Sequence, residues 1–274
     1  MPATVARLYR YPVKGLSAQP LETVELSPGR GIPLDRAFAI AYATMANPAD
    51  GSTWMPKKNF VTLVRHERLA ALDARFDEPT QVLSLHRAGK RVARGAIGTP
   101  VGRAMIEEFL RAYLKHELAG PTRFVGSAGG PMLSDHAEPA ISVIGLATIA
   151  DIERVTGRPV DPLRFRANVY LQGTPPWAEF GWIGGTLRLG SARLRVVERI
   201  ARCAATNVEP GTGMRDLSLP QDLQRGFGHA DCGVLAVVTE AGTIAVGDEA
   251  RVAAVGDETG VAAVGDEAEP PGGA

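Results

Sequence analysis

The segment Arg202-Cys203-Ala204-Ala205-Thr206-Asn207-Val208-Glu209-Pro210-Gly211-Thr212-Gly213 concentrates chemistry-bearing and turn-forming residues more densely than any other part of the chain. It follows a strand-like run containing Arg193, Arg195 and Arg199, so Cys203 is expected at a strand end in a positive field that favours the thiolate. Such a thiolate is either a nucleophile or a soft metal ligand, and a buried structural thiol is the plain alternative. A nucleophile wants a base, yet His66, His86, His116, His136 and His229 sit in no local pattern that marks one as its partner. His86 in a strand and His116 at a helix end read as structural. His229 and Cys232 lie three apart without a second ligand pair, so zinc is disfavoured and Cys232 reads as a small core residue.

Three cations stand near strand ends in separate parts of the chain: Lys14 after a proline-fixed turn, and Arg36 and Arg166 at the expected starts of two strands. Converging on one pocket they would suit a phosphate, for which Arg offers a fork and Lys a point charge. Taken singly, each is an ordinary solvated charge.

The elements that must position these residues are mostly short. Gly 31 and Pro 20 punctuate alternating runs such as Val5–Tyr9, Thr23–Leu26, Arg36–Tyr42, Phe165–Leu171, Leu194–Ile200, Leu235–Thr239 and Arg251–Ala253. Val82–His86 and Arg91–Ala93 flank a Gly-containing loop and read as a hairpin. Two segments read as helices. Thr99 and Pro100 open the first, with Val101, Met105, Phe109, Leu110, Tyr113 and Leu114 recurring along it. Leu146, Ile149, Ile152 and Val155 mark the second, which Gly157 closes. The stretch Gly120–Pro131 lacks periodicity and reads as a boundary. The expected fold is therefore mainly β (α+β), β-barrel or compact β-structure with a few peripheral helices.

Composition narrows the function classes. Two cysteines cannot form a disulfide framework, an all-cysteine zinc site or an iron–sulfur centre. Thirty Lys+Arg against thirty Asp+Glu argue against a globally basic nucleic-acid binder. No run reaches the ~18 apolar residues of a membrane span, and the N-terminus lacks the apolar core of a secretion signal. The expectation is a cytoplasmic protein with neither nucleic-acid nor membrane partners. AVGDEA at 245, AVGDET at 254 and AVGDEA at 263 repeat every nine residues, too short for a solenoid turn, so 254–274 is expected to be an acidic flexible tail.

YPVKGL, LDRAFAI, LRFRANVYL, RCAATNVEPGTG and GTIAVGDEARV occur here in that order, and together they resemble the MOSC-domain proteins with an N-terminal β-barrel partner, similar to the amidoxime-reducing components and their bacterial relatives. The resemblance spans roughly residues 4–253. It implies two β-barrel-like domains, 1–122 and 123–253, with a cofactor cleft between them. It implies a molybdenum cofactor (Mo-molybdopterin) whose metal is held by Cys203, with Lys14, Arg36 and Arg166 at the pterin or its phosphate and Asn168, Ser134, Asp135 and His136 lining the cleft. Asp35 is expected to orient Arg36 or cap a turn rather than touch substrate.

The implied activity is reduction of N-hydroxylated small molecules by oxygen-atom transfer to Mo. The alternative is a carrier of the cofactor, or of sulfur on Cys203, without reductase activity of its own. Glu209 stands where relatives often have aspartate. The chain also lacks the four further cysteines of a ferredoxin domain, so electrons are expected from a separate protein of ferredoxin, flavodoxin or flavin-reductase type. A desulfurase activity is not expected, because no aminotransferase-like domain is present.

Overall fold

The computed structural model describes residues 2–43, 53–127, 132–253 and 262–263. In chain order the elements are β1 (Thr4–Arg10), β2 (Gln19–Leu21), β3 (Thr23–Leu26), β4 (Phe38–Tyr42), β5 (Asp73–Asp77), β6 (Val82–Arg87), β7 (Lys90–Ala96), α1 (Pro100–Leu114) and β8 (Thr122–Gly126). They continue as β9 (Ile141–Gly145), α2 (Leu146–Thr156), β10 (Val169–Gln172), β11 (Thr186–Leu189), β12 (Ala192–Ala201), α3 (Leu219–Phe227), β13 (Asp231–Glu240), β14 (Gly242–Ala245), β15 (Ala250–Ala253) and β16 (Ala262–Ala263). Short 3-10 turns fill several connections.

A nine-stranded sheet runs β16-β15-β11-β12-β13-β9-β10-β1-β2. Its one parallel pair, β9 with β10, is joined through α2, the kind of crossover that parallel neighbours require. Alternation along the strands places Val5, Leu8, Leu187, Leu189, Leu194, Val196, Val234, Ala236 and Val238 in one core. Early strands thus pack with much later ones: β1 pairs with β10, and β3 pairs with β14.

The second unit of structure is built from residues between. β4 pairs with β8, β5-β6-β7 form a three-stranded sheet, and α1 closes a core containing Leu69, Leu83, Leu85, Ile106, Leu110 and Leu114. The mainly β class with few helices is therefore present. The strand orders of the described residues run as open series and none closes on itself, so the barrel form of the expectation is not seen as a hydrogen-bonded ring.

Several local expectations shift. Thr99 caps α1 as its sequence suggests, its hydroxyl accepting from the Gly102 amide at 3.1 Å. The buried face is offset, however: Gly102, Ile106, Leu110 and Leu114 point inward, while Val101 is 72% and Met105 54% exposed. Backbone contact decides this. A Cβ on Gly102 would lie 2.1 Å from the Ala96 carbonyl oxygen, so only glycine lets the helix approach β7 so closely, and that approach fixes its rotation.

The aperiodic stretch Gly120–Pro131 contains β8, whose partner β4 lies some eighty residues earlier and supplies a pairing no local pattern reveals. Arg36 and Arg166 do not open strands. Both have left-handed backbone, φ 49° and 52°, ahead of β4 and β10. Of the expected tail, Ala262–Ala263 pair with β15; the rest lies outside the described residues.

Candidate functional site: a cationic cleft around Cys203

The chain leaving β1 turns at Tyr11-Pro12-Val13-Lys14 and is stitched to Arg36-Ala37-Phe38. The Arg36 amide donates to the Tyr11 carbonyl at 2.7 Å, the Phe38 amide to Pro12 at 3.0 Å, and the Lys14 amide to Phe38 at 2.8 Å. Asp35, 3% exposed, accepts from the Tyr11 amide at 2.7 Å through one oxygen and from the Arg36 guanidinium through the other. It orients Arg36, as the sequence suggests.

Arg36 donates to the Arg166 carbonyl at 2.9 Å, and Arg166 donates to the Leu16 carbonyl at 2.6 Å. Both guanidiniums lie over the Tyr11 ring, at 4.7 and 4.3 Å from its centroid. A buried aromatic face is a favourable neighbour for a partly desolvated cation, and here one ring serves two. Burial drives Arg166 down to about 10, still charged at neutral pH. Burial acts on Arg36 in the same sense, but Asp35 outweighs it and holds that guanidinium above its ordinary value. Burial also raises the Tyr11 phenol above its ordinary value, although both arginines oppose this. The ring is therefore neutral, and its hydroxyl donates to Ala167.

Lys14 is 6% exposed. Its ammonium donates to the Leu133 carbonyl at 2.8 Å and to Asp135 at 2.5 Å, and sits 5.2 Å from the Phe60 ring centroid. Burial lowers its pKa, partly offset by Asp135. Burial pushes Asp135 the other way, but Lys14, with Lys57 and Arg36, outweighs it and keeps the carboxyl below its usual range. Ser134 donates to the His136 carbonyl, and His136 Nε2 lies 2.9 Å from Glu198.

Asn168 is 1% exposed and its side chain is engaged within the fold. Its Oδ1 accepts from the Ser142 amide and hydroxyl at 3.1 and 2.8 Å, while its Nδ2 donates to Tyr9 at 3.2 Å. It lines the cleft as a cross-link that holds the walls together.

Cys203 follows β12 and starts a 3-10 turn, Ala204–Asn207, where its carbonyl accepts from the Thr206 amide at 3.1 Å and hydroxyl at 2.9 Å. It is half-buried, whereas Cys232 is fully buried in the core, its thiol pushed up to about 12 by desolvation. The neighbouring Arg202 lines the same cleft as Cys203. Its guanidinium donates to the Cys232 and Phe165 carbonyls and so braces the start of the loop.

Lys14, Arg36, Ser134, Asp135, His136, Arg166, Asn168 and Cys203 nevertheless all line one cleft of about 450 Å³. The sequence reading missed the groups that hold this cleft in shape. Tyr11 stands in the YPVKGL motif and marks itself only by its type. Arg164, 4% exposed, ties Asn207 to Asp216, at 3.1 and 2.8 Å. Arg215 spans the halves, donating to Ala204 at 3.0 Å and to Leu63 and Val64 at 3.1 and 2.7 Å.

Among the described residues no group of three or more His, Cys, Asp or Glu could hold a metal ion. One accessible thiol facing a cleft lined by Lys14, Arg36, Lys57, Arg164, Arg166, Arg199 and Arg202 does not suit a protein-only metal site. It fits a soft metal whose remaining ligands belong to an anionic organic cofactor.

Residues 126–251 match the model of the MOSC domain. Mitochondrial amidoxime-reducing component 1 of Xenopus laevis is 32% identical over 108 residues, 38% of this chain and 31% of that protein. Its human counterpart is 27% identical over 89 residues, 32% and 26% of the two chains. The matched region thus spans about a third or less of these relatives. Among solved structures, the YUAD protein from Bacillus subtilis aligns over 92% of this chain and 96% of its own, with TM-score 0.43 and 15% identity. YiiM from Geobacillus stearothermophilus aligns over 45% and 59%, with TM-score 0.34 and 21% identity. The domain match covers β9 to β14 and the start of β15, with Arg166 and the Cys203 loop inside it, so residues 126–251 of this chain are similar to the MOSC domain.

Proposed function

We propose that the protein is a molybdenum-cofactor-dependent reductase of N-hydroxylated small molecules. The observation that carries this reading is the cleft in which Cys203 shares walls with Lys14, Arg36 and Arg166. Cys203 would supply the thiolate ligand, and the three cations would take the pterin phosphate. When bound, the cofactor supplies two-electron oxygen-atom chemistry.

The chain's own residues bind, orient and handle protons. Asp35 and Tyr11 fix the two guanidiniums, so the anion meets charges already in place. Asp135 holds the Lys14 ammonium at the cleft wall. The His136 Nε2–Glu198 pair on the same wall can hold an exchangeable proton. Residues 1–122 and 123–253 would act as two β-rich parts enclosing one cofactor. Electrons would come from a separate ferredoxin-, flavodoxin- or flavin-reductase-type protein, in the cytoplasm. Among the described residues no helix is long and apolar enough to cross a membrane.

The test is molybdenum and pterin content of protein made in a cofactor-competent host, with benzamidoxime reduction driven by an artificial electron donor. Wild type should carry both and turn over; Cys203→Ala should lose molybdenum; Lys14→Ala and Arg166→Ala should lose pterin occupancy. Molybdenum absent from wild type would sink the reading. Molybdenum bound without reduction would favour the carrier function instead.

A further inference from the structure

Beside the Cys203 cleft lies a second cavity of about 490 Å³, within the size range of small-molecule sites. The two share Gly15, Leu63, Arg164, Arg166 and Ala205 as a common wall. Six separate parts of the chain converge on it: the loop after β1, Leu63, the end of the 3-10 turn Glu67–Ala71, the β6–β7 hairpin, residues 161–166, and the chain downstream of Cys203. Seven of its lining residues are glycine or alanine, with Ala18, Ala71 and Gly211 among them, so the space exists because side chains that would fill it are missing. The larger lining residues are chiefly apolar, including Leu16, Leu72, Leu163 and Val208.

Its polar groups are selective. Of the cations of the shared wall, Arg166 is engaged by Leu16 and Tyr11, and Arg164 by Asn207 and Asp216 through its terminal nitrogens, while its buried Nε has no hydrogen-bond partner among the described residues. Exposed Asp73 and Asp161 add negative charge. His86, which the sequence suggested was structural, has a buried Nδ1 with no hydrogen-bond partner among the described residues. A buried polar atom left unmade is costly, and a ligand group can satisfy it. An anion would be drawn to the Lys14–Arg36–Arg166 cleft and turned away here.

We propose that this second cavity binds the apolar, non-reacting body of the substrate, an aryl or alkyl N-hydroxylated compound without negative charge, whose N–OH end reaches the Cys203 cleft past Ala205. The inference rests on the reductase reading and names its substrate class.

The experiment is equilibrium binding of benzamidoxime to the cofactor-free protein by titration calorimetry, beside its para-carboxylate analogue. Wild type binds benzamidoxime, and the carboxylate binds at least about tenfold more weakly, the size of one lost hydrogen bond or one unfavourable charge. Ala71→Phe, and independently Ala18→Phe, fill the cavity and weaken benzamidoxime by a similar factor. His86→Phe weakens it with the cavity shape kept. Thermal melts identify any variant that fails to fold, and each of the remaining variants tests the cavity alone.

Affinity unchanged in both filling variants, or no binding to wild type, overturns the cavity assignment even if the loaded enzyme reduces benzamidoxime. Binding with this pattern in a protein that never takes up molybdenum sinks the reductase reading and leaves the cavity standing.

Discussion

Tyr11 sets the electrostatics of the site although it carries no charge. With two guanidiniums over one ring and their mutual repulsion confined in a buried space, the aromatic face and Asp35 keep the cations in place. Tyr11→Phe keeps the ring and loses only the hydroxyl bond to Ala167, so chemical denaturation should show a loss of about 1 kcal/mol. Tyr11→Leu removes the aromatic face itself. It should cost roughly 3 kcal/mol and lower pterin occupancy, whereas the Phe variant should load normally. Equal loading of the two variants would mean that the ring face does not hold the arginines. At this scale the sequence already carried the essentials: Cys203, Lys14, Arg36 and Arg166 were legible as candidates from type and local context. Their convergence was not, because they lie far apart along the chain.

Elements impose constraints that residue types alone hide. Gly102 in α1 is a poor helix former, and propensity predicts that Gly102→Ala gains about 1 kcal/mol. The added Cβ would fall 2.1 Å from the Ala96 carbonyl oxygen, so packing should win and the variant should be less stable by roughly 1–3 kcal/mol in urea unfolding.

Glu179, fully buried, caps α2 by accepting from the Gly145 amide at 3.3 Å and the Thr148 hydroxyl at 3.0 Å. Burial pushes its carboxyl up to about 7, above the ordinary value of about 4.3. The folded protein therefore binds this proton more tightly than the unfolded chain does. The associated stability is complete below about 4.3 and is lost as pH rises through 7, on the order of 3 kcal/mol. Glu179→Gln should flatten the pH dependence of unfolding between these limits and leave the variant the more stable at pH 8. An unchanged slope would show that Glu179 is not the titrating group. The α1 face and the Arg166 backbone show the same lesson. Period marked the helix correctly, but a glycine contact between elements chose its buried side, and a left-handed residue interrupted what alternation presented as a continuous strand.

The whole molecule joins its two halves at the Cys203 loop. Arg215 binds carbonyls on both sides, and the Gly211 amide donates to Ala70 at 2.8 Å. Arg215→Ala should leave the cores intact and raise hydrogen exchange at Gly211 and in the 204–207 turn. Protection unchanged there would locate the coupling elsewhere.

Charge is distributed on the same scale. Residues 254–274 contain five acidic and no basic residues, so 1–253 carry 0 − (−5) = +5, and the neutral total conceals a basic body suited to an anionic cofactor. By itself the sequence determined the mainly β class, the helix caps, the separation of a chemically exposed Cys203 from a core Cys232, and the cations that could meet an anion. Those properties follow from residue type, spacing and turn chemistry, which are local. The tertiary structure alone decided that β1 pairs with β10 and β3 with β14, that Arg202 is tied to the Cys232 and Phe165 carbonyls, and that the candidate residues share one cleft with a second cavity behind it. These depend on long-range backbone pairing and close packing, whose partners lie as far apart as Thr23 and Ala245 and leave no periodic trace.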